Sequence, residues 1–402
     1  MYLGRFGKRG VDCGVVFYGK DSFAEVVEEQ RDREVGGNVE TDGGGALVSS
    51  RGICWSTSHN PTLAGSSQLE GNGTGSYSCT MTGLQPNTTY YVRAYAVNKA
   101  GIAYGDELEL TTDGFTAAFD ENGATRSTFS VSATTTVKFS QGNLQYNALG
   151  THDVATGGTG QGVWRFAEKQ YDYIGSANSN IASSYTGWID LFGYGTSGWN
   201  SGATCYMPYS TSNTDSDYKV GGSGANSLTG TYANADWGVF NAISNGGNVP
   251  ESWRTLTYDE WNYLLFSRDG STVGGVDSAR FAPAKVAGVI GLVVLPDTYV
   301  HPTGVAALTN INNAGGASTS NTITADNWAL MEAAGAVFLP CAGRRNGTSV
   351  SDVNVNCRYR ASTASSTNSD NSDVVVITSG TVTTYTTYVR SWGFCVRLVK
   401  DN

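Results

Sequence analysis

Charge is scarce in this chain. Only 15 % of its 402 residues are Asp, Glu, Lys or Arg, and 25 basic against 35 acidic residues leave a net charge of −10. Without an excess of cations the chain cannot neutralise a run of phosphates, which excludes sequence-independent nucleic-acid binding. Proline (8) and methionine (4) are few, and no long stretch rich in Ala, Glu, Lys and Leu occurs, which excludes coiled coils and helical bundles. Long apolar runs are missing as well: residues 286–295 are too few to span a bilayer, and Gly288 and Gly291 interrupt them. The start, MYLGRFGKRGVDCGVVFYGKDSF, has neither an unbroken apolar core nor a small-residue cleavage site, so no general secretion signal is expected. The 7 cysteines are too irregularly spaced for a disulfide framework or a zinc site. The 3 histidines lie far apart, and no cofactor is expected.

What the chain does hold is glycine (52), tyrosine (22) and tryptophan (9), with 40 % hydrophobic residues, the profile of an aromatic-studded, loop-rich β protein with real cores. At about 150 residues per domain, the length implies two or three domains. Residues 1–35 read as a lead-in, whose charged segment 21–34 fits a short helix or an extended strand equally. From Gly36 short strands follow one another. One alternates through Arg51, Ile53 and Trp55, and another covers 75–82. After the turn Gln85-Pro86-Asn87 comes a long strand in which Tyr91, Arg93, Tyr95 and Val97 alternate with Tyr90, Val92, Ala94 and Ala96. This predicts a β-sandwich over 36–113. Residues 114–402 read as a larger α+β unit with long ordered loops, strands in 129–147 and near the end, and helices over 234–243, 257–266 and 325–334. Thr257 and Glu260 form a capping box, Trp261, Leu264 and Leu265 an apolar face, and Asp326 the cap of the third helix.

Residues 36–112, from GNV..DGG to GLQPNTTYYVRAYAVNKAGIAYGDELELTT, resemble a fibronectin type III-like module of surface proteins from gut bacteria and their phages. Gly83, Leu84, Pro86, Thr88 and Tyr90 match the corner before its penultimate strand. The resemblance implies a spacer. The combination WRTLTYDEW, GLVVLPD, WALMEAAGAVFLPCAGRRNG, RYRAST and SWGFCVRLV, spread over 129–400, resembles the C-type-lectin fold shared with formylglycine-generating-enzyme-like domains. It resembles more closely the variable (target) proteins of diversity-generating retroelements. That resemblance implies pairing of the N- and C-terminal strands and a compact core carrying a loop-rich ligand-binding face.

Catalysis is not expected. The oxidase relatives use two late cysteines after a Gly-Gly-Ser-Trp-like motif, whereas Cys341, Cys357 and Cys395 lack both the motif and neighbours that lower a thiol pKa. Asp259 and Glu260, adjacent on a helix, do not face one site. Asp370, Asn371 and Asp373 are a triplet that an Asn/Ser-rich loop produces by chance rather than a calcium site.

The informative anomaly is compositional. Residues 345–391 contain 23 Ser, Thr or Asn but no Lys, Glu, Gln, Met or Trp, where ordinary usage gives about five of those. Such retroelements randomise adenines, and an AAC or AAT codon varied at its first two bases yields every amino acid except those five. Trp392 then reads as fixed scaffold with Gly393, Phe394 and Arg397, as do Gly347, Val350, Val353, Tyr359, Ser362, Thr363, Val375, Ile377 and Val382 inside the window.

The ligand-binding, variable candidates are Ser351, Asp352, Asn354, Val355, Arg358, Arg360, Asp373, Val374, Val376, Thr383, Thr384, Tyr385, Thr386 and Thr387. Val374 and Val376 are expected on an outward strand face opposite Val375 and Ile377, forming with Tyr385, Arg358 and Arg360 a mixed apolar-cationic patch. On this reading, joint replacement of Asp352, Arg358, Arg360, Val374, Val376, Tyr385 and Thr386 costs little stability, whereas Trp392 and Phe394 are buried and costly to remove. The expected partner is a protein or glycan receptor on another cell or phage host, with no nucleic acid and no membrane span. Display in an oligomeric assembly on a phage tail or a bacterial surface is expected, the missing secretion signal favouring a virion. The alternative is an undiversified surface adhesin or structural subunit.

Overall fold

The computed structural model describes residues 13–16, 33–39, 47–81, 84, 88–111, 118–149, 162–378 and 380–402. Most of the charged segment 21–34, the Gln85-Pro86-Asn87 turn, the 113/114 boundary and the side chains of Tyr385, Thr386 and Thr387 lie outside the described residues. Two compact units divide the chain, Met1–Ala117 and Ala118–Asn402. Both are built mainly from antiparallel strands, and helices are few.

The first unit contains β1 (Cys13–Val16), β2 (Arg33–Val39), β3 (Ser50–Ser56), β4 (Ser66–Leu69), β5 (Gly75–Met81), β6 (Thr89–Asn98), β7 (Gly101–Tyr104) and β8 (Leu108–Thr111). They form two sheets, β1-β2-β5 and β4-β3-β6-β7, with β8 also pairing β6. Strand β2 starts at Arg33, ahead of the expected Gly36, because Val35 already faces the core opposite Cys79. In β6 the alternation holds: Tyr90, Val92, Ala94 and Ala96 are buried while Tyr91, Arg93 and Val97 are half-buried. Tyr95 departs from it and is buried too. Gly37 lets the Tyr77 ring lie against the β2 backbone, since a Cβ there would sit 2.3 Å from the ring.

The second unit contains β9 (Phe129–Ser130), β10 (Thr136–Phe139), β11 (Leu144–Asn147), β12 (Val163–Phe166), β13 (Arg254–Thr255), β14 (Phe281–Val286), β15 (Val289–Val294), β16 (Thr322–Ile323), β17 (Val337–Pro340), β18 (Arg344–Asn346), β19 (Ser349–Ser351), β20 (Cys357–Ala364), β21 (Asn371–Thr378), β22 (Thr381–Val389) and β23 (Leu398–Asp401). Strands from its two ends meet: Val137 of β10 pairs with Asp401 of β23 and Phe139 with Val399, in a sheet ordered β13-β23-β10-β9. The apolar run 286–295 is a hairpin. Ala287 (φ 48°) and Gly288 (φ 88°) make the two-residue turn between β14 and β15. The sheet β16-β14-β15-β17 and the sheet β20-β21-β22 both contribute to the main core, with Leu292, Leu339, Tyr359, Val375 and Ile377 packed around Trp261 and Phe139. No helix among the described residues is long and apolar enough to cross a membrane.

The first and third helices are shorter than the sequence suggests, whereas the second runs on to Ser267. The first, α1 (Trp237–Phe240), starts late because Asp236 caps it, accepting from the Gly238 N–H. In α2 (Tyr258–Asn262) the capping box forms: Thr257 accepts from the Glu260 N–H, and Glu260 accepts from the Thr257 N–H. The helix then widens, with the Arg268 N–H reaching the Tyr263 carbonyl at 2.9 Å. Helix α3 (Ala325–Ala333) is capped by Thr324, not Asp326, which lies in the first turn. Glu260 also pairs with Arg254 at 2.7 Å. Thr257→Ala is therefore expected to cost about 1 kcal/mol. Glu260→Ala should cost more, because it loses the box and the Arg254 pair together, and urea unfolding of the two variants checks the order.

Candidate ligand-binding face

The candidate face lies where two hairpins meet. Strands β18 and β19 join through the turn Gly347-Thr348, with Gly347 at φ 57°. In the sheet β20-β21-β22, Cys357, Tyr359, Ala361, Val375, Ile377 and Val382 enter the main core. Alternation puts Arg358, Arg360, Val374 and Val376 on the other face. That face is covered as well. The chain after β22 returns along β20: the Arg360 N–H donates to the Cys395 carbonyl (2.9 Å) and the Cys395 N–H to the Arg358 carbonyl (3.0 Å). Phe394 is thereby laid over Val374 and Val376, flanked by half-buried Tyr388 and Trp392. Val374 is 1 % and Val376 5 % exposed, which corrects the expected outward pair of valines.

Arg360 is also misplaced by the sequence reading. It is fully buried, 4.4 Å from the Phe394 ring, and donates to Ser372 Oγ (2.6 Å) and to the carbonyls of Arg390 (3.1 Å) and Trp392. Burial lowers its pKa to about 9. Arg358, 8 % exposed, lies 4.7 Å over the Tyr388 ring. Asp373 sits at the bulge between Ser372 and Val374, 3 % exposed, with Oδ1 lacking a hydrogen-bond partner. Burial, then repulsion from Asp259, push its carboxyl up to about 7, against the pull of Arg390.

Asn354 is structural. Its Oδ1 accepts from the Ile290 N–H (2.7 Å), its amide reaches the Gly288 carbonyl (3.2 Å), and its φ of 56° is one that Asn tolerates. Thr384 points toward α2, 3.4 Å from both Tyr258 and Asn262. Of the candidates, Ser351 and Val355 are exposed, while Asp352 and Thr383 are half-buried.

What gathers around Asp352 is a group the sequence reading only partly named. Arg344 Nε lies 2.7 Å from Asp352 Oδ2, and Arg358 Nη1 lies 3.7 Å from the same oxygen. Arg344 is stacked 4.5 Å over Trp392. Two guanidiniums thus share one carboxylate beside two partly exposed aromatic rings, an arrangement suited to contact rather than to chemistry. Trp392 is half-buried, not core. Tyr388 was missed because the bulge at Ser372/Val374 shifts the register and places it opposite Ser372. Arg344 stands just ahead of the compositional window.

Cys341, Cys357 and Cys395 are buried in the main core, and burial holds the Cys357 and Cys395 thiols well above their usual pKa, hence protonated. Among the described residues no three His, Cys, Asp or Glu gather to hold a metal. Asp370 pairs with Lys219 (2.7 Å).

No family model matches the chain, and no curated protein matches it. Among solved structures it is similar to a myokine structure, at 20 % identity over 21 % of this chain and 85 % of that one, with a TM-score of 0.17. It is similar to the sixth fibronectin type III domain of human fibronectin type III domain containing protein 3, at 24 % identity over 22 % of this chain and 78 % of that one, with a TM-score of 0.16. A third similarity is to the twitchin kinase region of C. elegans, at 18 % identity over 23 % of this chain and 16 % of that one, with a TM-score of 0.17.

Two outcomes separate scaffold from surface. Arg360→Ala orphans buried oxygens and should cost roughly 3 kcal/mol or more, while Asp352→Ser stays within about 1 kcal/mol, both read by denaturant melts. For Asp373 the folded pKa lies above the unfolded one. Its proton therefore stabilises the fold below about pH 4, and that contribution is lost as pH rises toward 7. Asp373→Asn should accordingly be roughly 2 kcal/mol more stable than the parent at pH 8 and lose less stability between pH 5 and pH 8.

Proposed function

We propose that this chain is a non-catalytic ligand-binding display protein. In this reading a fibronectin type III-like spacer carries a C-type-lectin-like unit diversified by a retroelement. It recognises a protein or glycan receptor as part of a phage tail or a bacterial surface. The observation that carries it is the window 345–391, with 23 Ser, Thr or Asn and no Lys, Glu, Gln, Met or Trp. The pairing of β10 with β23 and the loop-rich second unit support the lectin-like part, and the two-sheet first unit supports the spacer. The contact surface is then the rim around Asp352, with Arg344, Ser351, Val355, Thr383, Tyr388 and Trp392. Tyr, Trp and Arg anchors are the types that hold most binding energy at such surfaces.

A second reading, an undiversified adhesin of the same build, is favoured by one observation: Arg358, Arg360, Val374 and Val376 are locked inside, where free variation is not tolerated.

Sequencing the DNA downstream of the coding region distinguishes the two. Under diversification it holds a near-copy of the 345–395 coding stretch, differing at adenines, beside a reverse-transcriptase gene. The differing codons should fall on rim positions such as Ser351, Asp352 and Val355 and spare Arg360. Absence of the copy ends the diversification reading and leaves the adhesin.

A further inference from the structure

The main core contains a dithiol that the binding reading does not use. Cys341 follows β17 and Cys357 opens β20, yet their Sγ atoms are 3.0 Å apart, and both residues are fully buried. Each is held from a different direction. The Cys341 N–H donates to the carbonyl of Ile290 in β15 (2.8 Å), and Cys357 pairs with Ile377 of β21. The intervening backbone is tied back at both ends, by the bridge between Gly343 and Cys357 and by the Asn354 N–H on the Cys341 carbonyl (2.8 Å). A disulfide has its sulfurs about 2.05 Å apart, so closure asks for a movement of about 1 Å, within reach of side-chain rotation.

We propose that Cys341 and Cys357 form a disulfide when the chain folds in the presence of a small-molecule disulfide. One thiolate attacks the reagent, releases one thiol and leaves a mixed disulfide. The second thiolate then displaces the other half. Two protein thiols and one disulfide give one protein disulfide and two small thiols, so electrons and protons balance. The bond closes a loop of about 15 residues containing the β18–β19 hairpin and the 352–356 turn. Arg344 and Asp352 would thereby be tethered to the central sheet, whatever the face binds. Timing follows from burial. Once the core has closed, the Cys357 thiol is held protonated and sealed from reagent, so the bond forms during folding and not afterwards.

The test refolds the reduced, denatured full chain with a mixture of reduced and oxidised glutathione, and in parallel with excess reductant. Free thiols are alkylated in denaturant and the digests analysed by mass spectrometry. The expected result is a peptide crosslinking Cys341 to Cys357, a higher Tm than the reduced sample, and an oxidation rate at least tenfold slower when the reagent is added to folded protein. Cys395→Ser should keep the crosslink and the Tm gain, and Cys357→Ser should abolish the gain. The proposal is overturned if both residues emerge alkylated from the oxidising refold, if Cys395 replaces either of them in the crosslink, or if Cys357→Ser keeps the oxidant-dependent Tm gain.

Discussion

The return of the chain along the free edge of β20 is the constraint on which the second unit depends. Hydrogen bonds from Arg360 to Cys395 and from Cys395 to Arg358 extend the sheet by one short segment, and those from Gly393 to Arg345 and from Arg345 to Gly393 fasten that segment to β18. Phe192 and Phe394 exchange a further pair on its outer side. Cys395 then points into the main core, while Phe394 roofs the opposite face over Val374 and Val376. A sheet covered on both faces offers no exposed centre, so under the proposed binding function contact falls to its rim and to the adjoining turns.

Long irregular segments create a second demand, because each backbone carbonyl removed from water needs a donor. This acidic chain meets part of it with arginine. Arg268, Arg345, Arg360, Arg390 and Arg397 are all fully buried. Their guanidiniums reach main-chain carbonyls distant in sequence: Arg345 reaches Leu191, Arg390 reaches Gly224, and Arg397 reaches Phe338. One planar group with five donors can satisfy several loop carbonyls together, which a lysine could not do with the same geometry. Arg268 alone of these combines carbonyl contacts with a close carboxylate, Asp297 at 2.6 Å. Sparse charge on the chain thus coexists with arginines in its interior.

Elements fixed by local chemistry were legible in the sequence. The Thr257/Glu260 capping box and the alternating strand β6 are set by neighbours a few residues apart, and both are present. What the sequence hid depends on residues far away. A period of two says which side chains share a face, not whether the second face meets water. Val374, Val375, Val376 and Ile377 form an unbroken apolar run, which is the pattern of a strand covered on both sides, and all four are buried. Reading that run as half-exposed placed two valines outside. The bulge at Asp373 was equally invisible, since nothing in the local residue types marks the extra residue that brings Tyr388 rather than Thr387 opposite Ser372.

The rim is arranged so that its shape does not rest on the side chains it displays. Between β19 and β20 the turn is set by backbone and by one amide: Val355 and Asn356 N–H groups both donate to the Asp352 carbonyl, while Asn354 is bonded to the hairpin turn of β14 and β15. Ser351 and Val355 project from this frame, Val355 with 48 % of its surface exposed, and neither is needed to hold it. Asp352 differs, because its φ of 62° strains any side chain except those, such as Asp, Asn or Gly, that tolerate the left-handed region. Freedom at this rim is therefore graded. Val355 is the freest, and Ser351 is held only by the hydrogen bond its Oγ accepts from Arg344 Nε (3.2 Å). Asp352 is limited by backbone conformation and its two arginines, and Asn354 is not at all free, because its side chain is part of the frame.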